Sequence, residues 1–298
     1  MIATCQRGVE VVGVGSNVPE RVMTNDEIAT MVETSDEWIA SRTGIRQRRI
    51  AGDGESSAGL GAGAAVRALE SAGIAGTDLD LIVTATASPD YYFPATATLI
   101  GEHIGARGVA AYDLSAACTG FVYALSQAYG QLAAGLADTV LVVGTEVFSR
   151  LLDWGDRSTC VLFGDGAGAV VLARNGSTTG ILGFELGSDG SGAELLEVAA
   201  AGHSTDPAAT PYVHMDGAQV YKFATTVSVE SATRALTAAG LTVADVDVFV
   251  PHQANRRIID HAARRLGLSE DRVVSNVDRY GNTSAASIPI CLDEAHRD

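Results

Sequence analysis

The sequence predicts a layered α/β fold built from two duplicated halves. Residues 64–83, AAVRALESAGIAGTDLDLIV, align without a gap on residues 231–250, SATRALTAAGLTVADVDVFV, at a constant offset (234 − 67 = 167). Each copy has apolar residues at helical spacing, a glycine that can end the helix, an acidic turn and a β-branched run typical of a buried strand. With 47% hydrophobic residues over 298 positions, the chain can form the large core that such a fold needs.

The same offset predicts the element order helix, strand, strand, buried helix in each half, with the second strand of the second half over 276–284. It places residues 109–117, VAAYDLSAA, opposite residues 276–284, and a helix starting at Cys118 opposite one starting near Ala285. The segment CTGFVYALSQAYGQLAAGL is apolar or small around its whole circumference, which on a helix indicates burial on every side. Two such helices, related by a pseudo-twofold axis, would form the middle layer between two sheets.

The repeat also predicts the domain boundaries, with an N-terminal half over 1–178 and a C-terminal half over 179–298. In the first half, strand-like runs at 139–147 and 166–173 follow the central helix. Adding 167 to either range gives positions after Asp298, so the second half is predicted to lack its last two strands. We therefore expect the natural protein to continue by roughly 30–40 residues.

Charge and cysteine pattern exclude several functional classes. The formal net charge is −16, which argues against a nucleic-acid or basic membrane-surface protein, because both need clustered cations to meet phosphates. The four cysteines form no CxxC or Cys/His pattern, so neither a zinc site nor a disulfide framework is indicated. The start of the chain does not resemble a signal peptide, and no apolar span is long enough to cross a membrane. A cytoplasmic location is predicted.

Cys118 is the first candidate for chemistry, because it lies where a predicted strand turns into a helix. A thiol in the first helical turn lies near the positive end of the helix dipole, which is expected to lower its pKa. Its neighbours, AA before and TG after, are small enough to leave a substrate access to the sulfur. The alternative is a buried cysteine that only fills space.

His252 and Asn282 are predicted to lie near Cys118. His252 follows the strand of the second copy, and Asn282 lies in the turn that enters the second central helix. In isolation, His252 could equally be a surface or core histidine, and Asn282 a helix cap. The pseudo-twofold axis brings all three towards one centre, where a thiol with His and Asn donors suits chemistry at an acyl carbon through a thioester.

Five motifs carry a family resemblance that runs from about residue 8 to the end. In their order and spacing, the chain resembles the type III β-ketoacyl-[acyl-carrier-protein] synthases, the initiating condensing enzymes of bacterial fatty-acid synthesis. The resemblance implies the thiolase-like αβαβα fold of the thiolase superfamily. The motifs are TSDEWIASRTGIRQRRIA (34–51), DLSAACTGF (113–121), DRSTCVLFGDGAGAVVL (156–172), VPHQANRRI (250–258) and GNTSAASIP (281–289).

The resemblance implies a decarboxylative Claisen condensation. Cys118 would take the acyl group from an acyl-CoA, and malonyl-acyl carrier protein would then replace CoA. His252 and Asn282 would stabilise the enolate formed as carbon dioxide leaves, and this carbanion would attack the Cys118 thioester to give a 3-ketoacyl-carrier protein. No metal or redox cofactor is implied, since the CoA thioesters are substrates.

The same resemblance assigns the nucleotide end of the CoA site. Trp38 would stack on the CoA adenine, with Arg157 on the other face of the base. Thr34 and Arg42 would contact the nucleotide. An aromatic plane and guanidinium groups are suitable residue types for this purpose.

The remaining implied residues concern the channel and the partners. Gly217 and Asn255 would line the pantetheine channel, and Arg257 would contact CoA phosphate or the acidic carrier protein. Phe93 would reach the acyl pocket of a second subunit, which implies a homodimer. In the family, a glycine-rich loop completes the oxyanion hole beside the nucleophile, and its position falls after Asp298 here.

Three other functions are compatible with parts of the pattern. The order Cys, His, Asn also occurs in papain-like proteases, but their nucleophile follows CGS, whereas this chain has AACTG. A related synthase or acyltransferase of secondary metabolism, priming a polyketide, is a nearer alternative. A substrate-binding module without catalysis is the third. The starter acyl group is not specified by the sequence.

Overall fold

The structure is a computed structural model that describes residues 1–5, 7–200 and 210–297. The strands are β1 (Ile2–Thr4), β2 (Val9–Asn17), β3 (Val22–Thr24), β4 (Gln47–Arg49), β5 (Leu81–Ala85), β6 (Ala110–Leu114), β7 (Thr139–Glu146), β8 (Gly166–Arg174), β9 (Gly183–Glu185), β10 (Leu196–Glu197) and β11 (His214–Met215). The helices are α1 (Asn25–Ile28), α2 (Asp36–Thr43), α3 (Ser57–Ala72), α4 (Thr96–His103), α5 (Gly120–Ala133), α6 (Gly217–Ala239), α7 (Arg256–Leu266), α8 (Val277–Tyr280) and α9 (Ser287–Arg297).

A five-stranded mixed sheet in the order β2-β8-β7-β5-β6 forms the centre of the first half. β5 runs parallel to β6 and β7, whereas β8 runs antiparallel to β7 and β2. Three short antiparallel pairs, β1 with β9, β3 with β4 and β10 with β11, lie outside it. β5 and β7 are almost wholly buried, which explains their continuous apolar sequences.

Side chains on the two faces of this sheet pack against different helices. On β7, Leu141 and Val143 join the core formed with α3 and α4, whereas Val140 and Val142 join the core that includes α5. This alternation follows from the two-residue period of a strand. Helices therefore cover the sheet on both faces, as the layered prediction requires.

The duplicated segments of the two halves have matching ends. α3 stops before Gly73 and α6 stops before Gly240, both in the left-handed conformation, with φ of 70° and 72°. In each copy an aspartate in the turn after the helix accepts a backbone N–H, Asp78 from Ala75 and Asp245 from Thr242, both at 2.8 Å. The offset of 167 read from the sequence is therefore an offset in structure as well.

The strand predicted over 276–284 is wrong. That range contains α8 and a turn. In the part of the chain that the structure describes, the segment just before it pairs with the predicted strand that ends at Val250 only through the bridge Phe249–Val273. Because no second sheet forms among the described residues, α5 is buried on one face alone, through Phe121, Ala124 and Ala128, and Gln127 on its outer face is exposed. Burial of α5 on every side is therefore wrong for the described residues.

Among residues 1–5, 7–200 and 210–297, none of the helices combines the length and the apolar character that crossing a bilayer demands.

Arg48 on β4 is a fully buried cation whose hydrogen bonds connect β4 to residues 23–25 and to residue 161. Its guanidinium donates to the Val161 carbonyl at 2.6 Å and to Asn25 Oδ1 at 2.8 Å, and reaches the Met23 carbonyl at 3.5 Å. Among the described residues no carboxylate pairs with it, and burial lowers its pKa to about 10. It stays charged near neutral pH, so these carbonyl contacts are what compensate its desolvation.

We expect Arg48→Ala to lower the free energy of unfolding by about 3 kcal/mol, because it leaves a cavity and unpaired buried carbonyls. Urea unfolding measures the loss. Arg46→Ala is the matched control on the same segment, since Arg46 is two-thirds exposed and pairs with Asp36 at 2.9 Å. It should cost less than about 1 kcal/mol. Equal losses in the two variants would contradict the role of Arg48.

Candidate active site

Cys118 lies in a single 3-10 turn, Ala117–Thr119, between the end of β6 and the start of α5. Ala117 adopts a left-handed backbone with φ of 44°, which costs a residue with a side chain roughly 1–2 kcal/mol. The corresponding turn of the second half, Ser284–Ala286, starts at Ser284 with φ of 48° (284 − 117 = 167). The two halves thus present the same strained turn at the centre of the molecule.

The environment of the Cys118 thiol differs from the sequence prediction. The side chain is half-buried, and burial raises its pKa to about 11. A hydrogen bond between the thiol and the Ser284 hydroxyl, and the Cys118 backbone N–H, lower the pKa, whereas the Glu146 carboxylate raises it further. The predicted lowering by the helix end is therefore wrong, since desolvation outweighs these N-terminal contributions.

His252 is held by the first residue of α9. Its Nδ1 lies 2.6 Å from Ser287 Oγ, and Ser287 is fully buried. Burial lowers the pKa of His252 to about 4, so the imidazole is neutral at physiological pH. Its Nε2 makes no hydrogen bond to any residue that the structure describes.

Three hydrogen bonds within the described structure hold Asn282 and leave its side-chain NH₂ group available. Its backbone N–H donates to the Leu162 carbonyl at 2.8 Å, and its carbonyl accepts from Gly164 at 3.1 Å. Its side-chain Oδ1 accepts the Ser284 N–H at 2.9 Å. Within the described residues the Nδ2 amide has no partner, so its two N–H groups can serve a ligand.

One short segment, residues 282–287, connects the three predicted catalytic residues. Asn282 begins it, the Ser284 hydroxyl contacts the Cys118 thiol, and Ser287 holds the His252 ring. The segment can approach the sheet because Gly144 on β7 has no side chain, and a Cβ there would lie 2.4 Å from the Ala285 carbonyl oxygen. A thiol beside two neutral N–H donors is suited to acyl transfer and to stabilising an oxyanion.

Sequence reasoning missed Glu146, Ser284 and Ser287. Glu146 ends β7, is fully buried, and accepts hydrogen bonds from Ser88, Ala87 and Ser284. Its signal in the sequence is an acid at the end of the apolar run TVLVVGTEV. The two serines lie in the GNTSAAS motif itself, but nothing in the sequence distinguishes them from capping residues.

The residues expected at the nucleotide end of CoA form one cluster around Trp38 on α2. The guanidinium carbons of Arg42 and Arg157 lie 4.5 and 4.9 Å from the centroid of the Trp38 ring. Arg157 also donates to the Glu33 carbonyl at 2.7 Å, next to Thr34. The Thr34 hydroxyl oxygen is buried and has no hydrogen-bond partner in the described part of the chain.

The residues expected along the channel are connected to this cluster only in part. Asn255 caps α7 by accepting the Arg257 N–H at 2.8 Å, and its Nδ2 donates to the Arg42 carbonyl at 3.2 Å. The Arg257 guanidinium lies 5.3 Å from the ring centroid of Tyr221, one turn after Gly217 on α6. Within the described residues, Gly217 makes no contact that would place it beside Cys118.

Phe93 lies elsewhere. Its side chain is 86% exposed, in the loop between β5 and α4, so it does not pack against the site within its own chain. Nor do the described residues contain a group of three or more His, Cys, Asp or Glu side chains that could hold a metal ion.

Comparisons with known proteins identify the family of this chain. Residues 112–190 match the family 3-oxoacyl-[acyl-carrier-protein (ACP)] synthase III, and residues 236–298 match its C-terminal family. The β-ketoacyl-[acyl-carrier-protein] synthase III of Desulfitobacterium hafniense strain Y51 is 49% identical over 97% of this chain and 89% of its own length.

Two solved structures show the same fold. The 3-oxoacyl-[acyl-carrier-protein] synthase III of Aquifex aeolicus VF5 superimposes with a TM-score of 0.92 at 43% identity, over 97% of this chain and 91% of that one. The priming β-ketosynthase of the R1128 polyketide pathway gives 0.91 at 40% identity, over 99% and 90%. These matches confirm the thiolase-like fold and the predicted family. The chain belongs to the β-ketoacyl-[acyl-carrier-protein] synthase III family, acyltransferases that catalyse the initiating condensation of fatty-acid synthesis.

Proposed function

We propose that Cys118, His252 and Asn282 carry out this condensation. Cys118 takes the acyl group of an acyl-CoA as a thioester, and malonyl-acyl carrier protein then supplies the carbon nucleophile by losing carbon dioxide. The observation that supports this assignment is the segment 282–287, which joins the contact to the Cys118 thiol to the serine that holds His252. In this proposal one nucleophile and two donors act on one acyl carbon.

His252 acts in this proposal as a hydrogen-bond donor. Ser287 Oγ accepts the Gln253 N–H at 3.4 Å, and in this proposal its own hydrogen points to His252 Nδ1. The single proton of the neutral ring then lies on Nε2. Nε2 and the Asn282 amide together donate to the enolate oxygen that forms as carbon dioxide leaves.

Trp38, Arg42, Arg157 and Thr34 hold the nucleotide end of CoA in this proposal. The guanidinium groups of Arg42 and Arg157 lie over the Trp38 ring in this structure. In the proposal they attract phosphate, and adenine stacks on the ring when CoA binds. The hydroxyl of Thr34 is a buried group that a ligand could satisfy. Gly217 and Asn255 then line the path of the pantetheine arm.

The carrier protein is proposed to dock at α7. This helix exposes Arg256, Arg257, Arg264 and Arg265 on a chain whose net charge is −16. A local basic surface next to the site is complementary to an acidic carrier, and such complementarity mainly raises the association rate.

A homodimer is proposed because two features of the first half are unpaired within one chain. β6 is the edge strand of the central sheet and pairs only with β5 in the described structure. Phe93 and Tyr91 are exposed nearby in sequence, at 86% and 59%. A second copy would cover exposed aromatic surface and pair the edge.

The condensation transfers no electrons to an external acceptor, so we propose that the enzyme uses no redox cofactor or metal. Its CoA thioester is a substrate. A cytoplasmic location is proposed with it, because the cysteine pattern and the acidic composition fit a reducing compartment. The polyketide-priming alternative is less favoured, since identity is 49% to the Desulfitobacterium hafniense enzyme and 40% to the priming ketosynthase.

Incubation with acetyl-CoA should add one acetyl group to the Cys118 peptide, detected by mass spectrometry. Cys118→Ser should abolish this labelling, because a hydroxyl is a far poorer nucleophile. Cys5→Ser is the control, since Cys5 is also half-buried but lies directly after β1 in the sequence. If the parent carries no acyl group with acetyl, branched or longer acyl-CoA, the assignment of Cys118 is wrong.

His252→Ala should slow the decarboxylation of malonyl-acyl carrier protein by roughly 10²–10³-fold, the usual loss when an oxyanion donor is removed. Acylation of Cys118 should change much less, because that step does not form the enolate. Carbon dioxide release and acyl mass measure the two steps separately. His103→Ala, at an exposed histidine that ends α4, is the control. Unchanged decarboxylation in His252→Ala would refute the donor role.

Light scattering should give the protein twice the chain mass of 30.7 kDa. Phe93→Glu should shift the protein towards monomer, because it places a charge in the proposed interface. Leu136→Glu is the matched control, since Leu136 is 75% exposed and lies in the turn between α5 and β7. A monomeric parent protein would contradict the homodimer.

A further inference from the structure

The thiol of Cys118 needs a proton acceptor that the established activity does not identify. Burial keeps the pKa of this thiol near 11, so it holds its proton at neutral pH. Attack on a thioester requires the thiolate, or removal of the proton as the bond forms. The neutral His252 ring is held by Ser287 and is not the partner of the thiol in this structure.

Ser284 is the residue that contacts the thiol. Its hydroxyl hydrogen-bonds the Cys118 sulfur on one side and donates to Glu146 Oε1 at 3.1 Å on the other. The side chain is fully buried, and the left-handed backbone at Ser284 fixes its direction. A continuous chain of hydrogen-bonding atoms therefore runs from Cys118 Sγ through Ser284 Oγ to the Glu146 carboxylate.

Glu146 is the charged group whose field acts on the Cys118 thiol among the described residues. From the loop after β5, Ser88 Oγ and the Ala87 N–H donate to it, and Thr86 Oγ1 lies 3.4 Å away. The described residues provide it with no arginine, lysine or histidine partner. Burial raises its pKa to about 7, so its carboxylate can take up a proton near physiological pH.

We propose that Ser284 and Glu146 form a proton relay for Cys118. As Cys118 Sγ bonds to the acyl carbon, its proton passes to Ser284 Oγ, and the original Ser284 proton passes to Glu146. The bond from the acyl carbon to the CoA sulfur breaks, and the CoA thiolate takes a proton from water. When the condensation later breaks the bond to Cys118, Glu146 returns its proton through Ser284 to the thiolate.

This relay rests on acyl transfer at Cys118, but its test does not. Iodoacetamide alkylates the thiol without CoA or carrier protein, and the rate at the Cys118 peptide can be followed by mass spectrometry from pH 5.5 to 9. In the parent protein the rate should rise with pH, inflect near pH 7 as Glu146 ionises, and then level off. A protein that alkylates in this way but accepts no acyl group would contradict the condensation alone.

Three variants separate the relay from a structural role of Glu146. Glu146→Gln keeps the hydrogen bonds to the loop after β5, but should lose the inflection and alkylate roughly 10²-fold more slowly at pH 7. Ser284→Ala should have the same effect with Glu146 intact, and its backbone strain matches that already carried by Ala117. Ser88→Ala removes a hydrogen bond that lowers the pKa of Glu146, so it should only move the inflection to higher pH.

Circular dichroism measures whether each variant is folded. If Glu146→Gln does not fold, Ser284→Ala alone tests the relay. An inflection near pH 7 that survives in Glu146→Gln or Ser284→Ala would overturn the relay. So would a parent profile without an inflection between pH 6 and 8.

Discussion

The contact between the turn at Ser284–Ala286 and β7 determines the rest of the site. Gly144 leaves room for the Ala285 carbonyl where any Cβ would lie 2.4 Å from its oxygen, and Ala285 is buried in the same core as Phe121 of α5. With the turn fixed on the sheet, Ser284 reaches Cys118 and Glu146, and Ser287 reaches His252. A residue with a side chain at position 144 would separate the halves and remove all of these contacts together.

A second constraint acts from the opposite side of this segment. Arg48 binds the Val161 carbonyl, and the chain that follows pairs with Asn282 through the Leu162 carbonyl and the Gly164 N–H. The buried guanidinium therefore supports the segment against which Asn282 is fixed, although it touches no predicted substrate position. Precision at Asn282 depends on such supporting contacts as much as on the residue itself.

The sequence could predict the fold and the three candidate catalytic residues, because a gapless repeat and dense motifs report long-range organisation directly. It could not predict the strand pairing of residues 276–284, since α8 follows from contacts with β4 and not from local propensity. The pKa of Cys118 was predicted in the wrong direction because burial, which dominates the shift, and the charge of Glu146, which adds to it, both depend on neighbours distant in sequence. The CoA-binding residues came only from the family resemblance.

The opposite pKa shifts of Cys118 and His252 distinguish this site from that of a cysteine protease. Burial raises the pKa of the thiol to about 11 and lowers the pKa of the imidazole to about 4, so both groups are neutral over the whole physiological pH range. A papain-like protease needs the reverse order, in which the cysteine is the stronger acid and a thiolate–imidazolium pair forms. In the proposed mechanism the neutral histidine therefore donates its N–H to an oxyanion and does not store the thiol proton. The burial that raises the pKa of the thiol is also the reason why the proposed relay assigns its proton to an acceptor other than the histidine.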